Sequence, residues 1–297
     1  MLIPIVGALI YILLHAELGT LFFKGKKNQI IKMTKPLIPQ DKNILYDLER
    51  ESIYMAHLAK YVNDYGGYPI YKNTTVEYYS VGEEKYASML YELEKAERFI
   101  FMEYFIIDHG KMWNTILDIL ERKAEQGVEV RLLYDGMGSQ FLLPNHYDKY
   151  LETKGIKCRI FNEFRPFLST AQNNRDHRKI LVIDGTTAFN GGVNLADEYI
   201  NEKERFGHWK DTAVMLKGEA VWSFTVMFIQ MWEWKTKQLS DYEKYRPANI
   251  SQFNRISEGY VLPYGDSPTD NEPVGELVYL NIINKAQKYV YITTPYL

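Results

Sequence analysis

HRKILVIDGTTAFNGGVN, running from His177 to Asn194, sets basic residues directly before a β-branched apolar run and a carboxylate directly after it. A short apolar run bounded by charge reads as a buried strand. Side chains on a strand alternate between faces, so His177 and Lys179, two residues apart, are expected on one face. Asp184 closes the run, and Gly191, Gly192 and Asn194 follow. An imidazole beside an ammonium, followed by a glycine pair and an amide, suits a phosphate ester. The imidazole can attack phosphorus or pass a proton near neutral pH. Lys179 and Asn194 can hold the non-bridging oxygens as charge develops on them. Gly191 and Gly192 have no Cβ and let the backbone come close to a ligand.

Outward from this stretch, strands and helices alternate. Strands are expected at 76–82, 98–108, 128–136, 156–161 and 211–218, and helices at 84–97, 113–127, 145–155 and 219–238. That order predicts an α/β fold whose sequential strands are largely parallel. The last helix carries Trp222, Phe224, Phe228, Met231 and Trp232, which read as core. Upstream, 41–64 has apolar residues at helical spacing, with Asp41 as cap and Gly66-Gly67 as stop, and predicts one helix.

The 297 residues are 46% hydrophobic and 25% charged, ordinary for a globular chain. A net charge of -3 gives no overall basic field to draw nucleic acid, so none is expected as a partner. Cys158 is the one cysteine, which leaves no internal disulfide and no paired-cysteine metal knuckle. It lies in an alternating run and reads as core, as free cysteines usually do. The 24 tyrosines and 14 phenylalanines are expected partly in the core and partly at a membrane-facing surface.

Residues 2–14 carry no charge, and extending the stretch to Phe23 takes in His15 and Glu17. A bilayer span needs about 20 apolar residues, so only the longer stretch suffices. Lys24, Lys26, Lys27, Lys32 and Lys35 follow it. Residues 1–23 are therefore expected to form a membrane-anchoring helix with the catalytic part on the cytoplasmic side, against anionic lipid.

The chain also repeats. Lys95–Met102 aligns with Lys285–Ile292 at an offset of 190, with Leu90 on Leu280 and Leu93 on Ile283. Both copies read as a helix running into a strand. A second central histidine at that offset would lie beyond residue 297. The domain reading is thus 1–23 anchor, 24–70 basic linker and amphipathic helix, 71–245 first half-domain, and 246–297 linker and the start of a second half-domain, in a truncated product or an excerpt.

HxKxxxxD with GGxN at this spacing is the signature of the phospholipase D superfamily. Together with FIFMEYFIID, GVEVRLLYDGMGS, the ADEY after GGVN, and HWKDTAV, the chain resembles bacterial cardiolipin synthases of that type. The resemblance implies a mixed β-sheet flanked by helices in each half, with two such motifs meeting at one active site. It implies phosphatidyl transfer from one phosphatidylglycerol to another through a phosphohistidine, without metal or other cofactor. His177 is then the nucleophile and the second half's histidine the acid and base, or the reverse. Asp211 matches the family carboxylate that bonds the other ring nitrogen of the motif histidine.

Other candidates stand on the residues alone. Asp184 is expected to fasten the strand end more than to touch substrate. Glu103 interrupts an apolar strand and needs a partner, as a site-lining or a structural group. Asp135 precedes Gly136 at a strand end, where α/β ligand sites lie. Arg175 and Asp176 are expected to be solvated, and His208 to line the mouth. Two rival readings remain: a catalytically silent membrane-anchored fragment, and a single-motif phosphodiesterase completed by homodimerisation.

Overall fold

A seven-stranded sheet with the order β1-β7-β6-β5-β2-β3-β4 carries the molecule. The computed structural model describes residues 18–163, 174–247, 258–267 and 272–294. The strands are β1 (Thr74–Tyr79), β2 (Phe99–Tyr104), β3 (Glu129–Asp135), β4 (Lys157–Phe161), β5 (Ile180–Ile183), β6 (Thr187–Gly191) and β7 (Ala213–Gly218). β2, β3 and β4 run parallel, as their connecting helices require. Every other pairing is antiparallel, so parallel neighbours hold for one side only and the sheet is mixed. The reason lies in the opening stretch. Asp184 and Gly185 take φ of 53° and 72°, turning β5 straight back into β6 as a hairpin. Asp-Gly is a strong signal for such a turn.

The two faces of the sheet are covered by different helices. α1 (Leu18–Thr34), α2 (Lys42–Glu51) and α3 (Ile53–Tyr61) precede the sheet. α4 (Gly82–Glu94), α5 (Lys111–Glu125) and α6 (Tyr147–Thr153) share one apolar core with Ile100, Met102 and Tyr104 of β2. α7 (Val221–Thr236) covers the opposite face, where Phe101 stacks on Phe228 at 4.6 Å. Its aromatic residues are core, as read. Cys158 is buried, again as read. Alternation along β2 places Phe99, Phe101 and Glu103 toward α7.

Two further expectations change. The single helix over 41–64 is two. Ser52 is extended (φ -157°, ψ 103°) and its Oγ accepts from the Met55 N–H, capping a new helix inside the periodic run. Asp41 does cap α2, accepting from the Asn43 N–H at 2.8 Å. α8 (Val274–Lys285) forms where the second repeat predicts a helix, but residues 286–294 form no strand. Tyr289, Val290, Tyr291 and Ile292 are exposed there, whereas their counterparts Phe99, Ile100, Phe101 and Met102 are wholly buried. A strand is stable through its neighbours, and among the described residues none lies alongside.

Most of the expected membrane helix, residues 1–17, lies outside the described residues. Residues 18–23 begin α1, which runs on through Lys26, Lys27 and Lys32 instead of ending at the basic cluster. Among the described residues no helix is long and apolar enough to cross a membrane. The later part of α1 lies along α7: Lys26 Nζ donates to the Trp234 carbonyl, and Gln230 donates to Thr34 Oγ1.

Candidate active site

β5 begins at Ile180, so His177 and Lys179 stand on the segment leading into it. They meet as the alternation predicts. Lys179 Nζ lies 3.0 Å from His177 Nδ1 and donates to the His177 carbonyl at 2.6 Å. Phe105, just past β2, lies against both, its ring centroid 4.6 Å from that of His177 and 5.3 Å from Lys179 Nζ. Burial lowers the Lys179 pKa to about 8, against the pull of Asp176, Asp211 and Asp135. Burial and then the Lys179 charge lower the His177 pKa below its ordinary value, so the imidazole is neutral at pH 7.

Asn194 is buried and held at both ends. Its Oδ1 accepts from the Ile106 N–H at 3.0 Å, and its Nδ2 donates to Tyr199 Oη at 2.8 Å. One of its two amide hydrogens is thus committed to the protein.

The glycines serve the fold differently from the expectation. A Cβ on Gly191 would come within 2.4 Å of the Thr212 carbonyl oxygen, and one on Gly192 within 2.0 Å of Asp211 Oδ1. The close approach they permit is to the protein's own β7 edge and to Asp211. Asp211 Oδ1 accepts from the Thr212 N–H at 2.8 Å, and no hydrogen bond joins it to His177 in this arrangement. His177 Nδ1 faces Lys179 instead.

Asp184 accepts from three consecutive backbone N–H groups, those of Glu97 (2.8 Å), Arg98 (2.7 Å) and Phe99 (2.9 Å). It fastens the start of β2 to the end of β5, at the far end of the strand from His177.

Glu103 resolves as a structural partner. It is 0% exposed and forms an ion pair with Arg178. Arg178 also reaches Asp176 Oδ1 at 3.2 Å. Burial holds the Glu103 carboxyl well above the usual carboxylate range, although Arg178 opposes it. Burial raises the Asp176 carboxyl, but Arg178 beside it pulls it below its ordinary range. Asp135 is also 0% exposed: its Oδ1 accepts from the Met137 and Gly138 N–H groups, and its Oδ2 from the Asp176 N–H at 2.9 Å. Arg175 lies 3.3 Å from Asp135 Oδ1. The expectation that Arg175 and Asp176 are solvated is wrong: Asp135 on β3 holds Arg175 and the Asp176 N–H, and Arg178 holds the buried Asp176 carboxylate. His208 is exposed and lies 3.9 Å from Glu83.

Arg178 was not foreseen. Its signal was its odd spacing between His177 and Lys179, which turns it to the opposite face, where Glu103 already implied a missing cation. On that face a cavity of about 310 Å³ reaches His177, lined by Phe161, Met231 and Trp234 with Lys27, Arg175 and Arg178. Among the described residues no group of three or more His, Cys, Asp or Glu side chains is placed to hold a metal ion.

A family model described as "Cardiolipin synthase, PLD-like domain" matches residues 89–232, which span β2 through most of α7. Over that span the chain matches a phospholipase D-like domain of the cardiolipin synthase kind. It is 52% identical over 295 residues to an uncharacterized protein of Streptococcus mutans, covering 99% of this chain and 63% of that one. It is 35% identical over 240 residues to a cardiolipin synthase of Alkalihalophilus pseudofirmus, covering 80% of this chain and 47% of the relative. The chain thus spans about half to two thirds of the length of such relatives. Among solved structures, a phosphatidylserine synthase of Haemophilus influenzae aligns at 15% identity and a TM-score of 0.45, over 70% of this chain and 51% of that one. The mixed sheet flanked by helices agrees with the architecture that the resemblance implied.

Proposed function

We propose that this domain supplies one histidine of a phosphatidyltransferase site that joins two phosphatidylglycerol molecules into cardiolipin and glycerol. The observation that carries the proposal is the pairing of an accessible His177 with a buried Lys179, 3.0 Å apart, with His177 at the end of an apolar-walled cavity. A neutral imidazole favours the nucleophile's role over the acid's. Attack from Nε2 needs the ring proton on Nδ1. With Lys179 donating to Nδ1, the proton sits on Nε2, so the reacting arrangement has Lys179 turned from the ring onto a phosphate oxygen. The Nδ1–H so formed is then free for Asp211 to orient.

In the first step the Nε2–phosphorus bond forms and the phosphorus–glycerol oxygen bond breaks. The departing oxygen takes a proton from a second motif histidine. In the second step the primary hydroxyl of another phosphatidylglycerol attacks phosphorus, gives its proton to that second histidine, and releases His177. Lys179 and the remaining Asn194 N–H hold the non-bridging oxygens. The repeat at offset 190 supports a second half-domain as the source of the second histidine; a second copy of this chain is the other source. The run of lysines along α1, from Lys24 to Lys32, supports work at an anionic membrane surface.

The test feeds labelled phosphatidylglycerol to membranes holding the 297-residue chain, beside a version extended through the second repeat. Cardiolipin from the extended chain alone supports the two-half site, and cardiolipin from both supports a site built by two copies. Phosphatidic acid or cleaved DNA in place of cardiolipin would overturn the proposal.

A further inference from the structure

Lys85 lies on the inner face of α4, one turn before Met89 and two before Leu93, in a helix whose exposed side carries the usual charges. It is 2% exposed, among the most deeply buried large side chains of the domain. A lysine in that position is costly unless its amine is used. Here the amine has two uses. Nζ donates to the Val193 carbonyl at 3.2 Å and to Tyr104 Oη at 3.3 Å. Val193 is the variable residue of the GGxN turn, between Gly192 and Asn194, and Tyr104 is the last residue of β2. The ammonium also lies over the Tyr104 ring, 5.1 Å from its centroid.

The position of this amine links it to the site. Burial lowers its pKa to about 7, with Asp211 opposing and Lys179 adding to the shift. Two groups of the His177 site therefore feel its charge across the turn it holds. Tyr104 Oη is the remaining titratable group against it, and burial pushes that phenol up, so it stays neutral and accepts. Asn194 itself is fixed to Ile106, two residues past Tyr104. The amine and the amide thus clamp one turn to one strand end from both sides of the Val193–Asn194 peptide.

We propose that Lys85 is a positioning residue of the His177 site, whose buried amine ties the Gly192–Asn194 turn to the end of β2 and so sets where Asn194 meets a phosphate. The proposal rests on the reading of Asn194 as a phosphate-holding group. A polar contact aimed at the backbone of a binding turn acts on reactivity through geometry, and a misplacement of about 1 Å costs on the order of a hundredfold in rate.

A double-mutant cycle on the full-length enzyme in phosphatidylglycerol vesicles tests it, using K85M, which keeps length and apolar volume, N194A, and both together. K85M is expected to lower kcat on the order of a hundredfold while KM changes little. In the N194A background K85M is expected to cost no more than a few fold, because the group it positions is gone. A wild-type kcat for K85M would overturn the proposal. So would the same fold loss in both backgrounds, which is what general damage to the fold produces. Should K85M melt below the assay temperature, Y104F, which removes one arm of the clamp, takes its place in the cycle with the same expectations. If the wild type forms no cardiolipin, the transferase reading fails by itself. Lys85 is then judged by tungstate affinity of the same variants: non-additive weakening by K85M and N194A sustains it, and unchanged affinity in K85M overturns it.

Discussion

Replacing Asp184 by alanine tests whether the third letter of the motif serves structure or chemistry. Three backbone N–H groups, of Glu97, Arg98 and Phe99, converge on its two oxygens at 2.7–2.9 Å. These bonds lie at the exposed end of the strand, where solvent screens the charge, so each is assigned about 1 kcal/mol, the value for an ordinary net hydrogen bond, giving about 3 kcal/mol in all. Asp184 also holds a φ of 53°, which an alanine tolerates poorly. For a chain of this size 3 kcal/mol corresponds to a fall in Tm of about 6–12 °C. Asp184→Asn keeps Oδ1 for Arg98 and Phe99 and loses the bond from Glu97, so about a third of that fall is expected. The assay pairs thermal melting with phosphatidyl transfer at a temperature where each variant is folded. Folded D184N is expected to keep kcat within a factor of about three, under 1 kcal/mol of barrier. A D184A protein with unchanged Tm, or a folded D184N as inactive as H177A, would refute the reasoning.

Other predictions follow from single contacts. Activity should fall at alkaline pH as Lys179 loses its proton near its lowered pKa of about 8, and should hold on the acid side to below the ordinary histidine range. A pH profile of kcat/KM checks both limbs. Glu129 is pushed up by burial but pulled well below the usual carboxylate range by Lys157, Lys244 and Arg131. Its contribution to stability is therefore present above the unfolded carboxylate pKa and lost as pH falls toward the folded one. Urea midpoints measured from pH 6 to pH 3 should show wild type losing its advantage over E129Q across that window, and a constant gap would contradict the assignment. Gly192→Ala forces a Cβ within 2.0 Å of Asp211 Oδ1, so both activity and Tm should drop. E103L, which removes the carboxylate partner of buried Arg178, should cost about 3–5 kcal/mol in denaturant unfolding, and E103Q, which keeps the shape and a polar partner, should cost less.

Much of the fold was legible because it rests on short-range signals. The apolar runs at 99–104 and 129–135 could only be buried strands, and the helix between them returns the chain in parallel. The hairpin at Asp184-Gly185 is equally local, an Asp-Gly turn signal inside the motif itself, and the antiparallel half of the sheet follows from it. The pairing of His177 with Lys179 was legible from alternation. The Arg178–Glu103–Asp176 cluster was not, because its partners come from strands 75 residues apart in sequence and only the register of β2 against β5 brings them together. Lys85 left no signal at all: a lysine at a helical core position reads as a break in the apolar stripe until the Val193 carbonyl is seen above it. Asp211 shows the opposite limit, since its family role was legible and its carboxylate here serves the Thr212 N–H.

The claim on which the rest depends is that His177 carries the phosphatidyl group. Phosphatidylglycerol labelled at phosphorus, mixed with the full-length enzyme and quenched in denaturant within a turnover, tests it directly. The account predicts an acid-labile, base-stable label on the peptide containing His177, absent from H177A. A label of that kind persisting in H177A, on any other histidine, would contradict it.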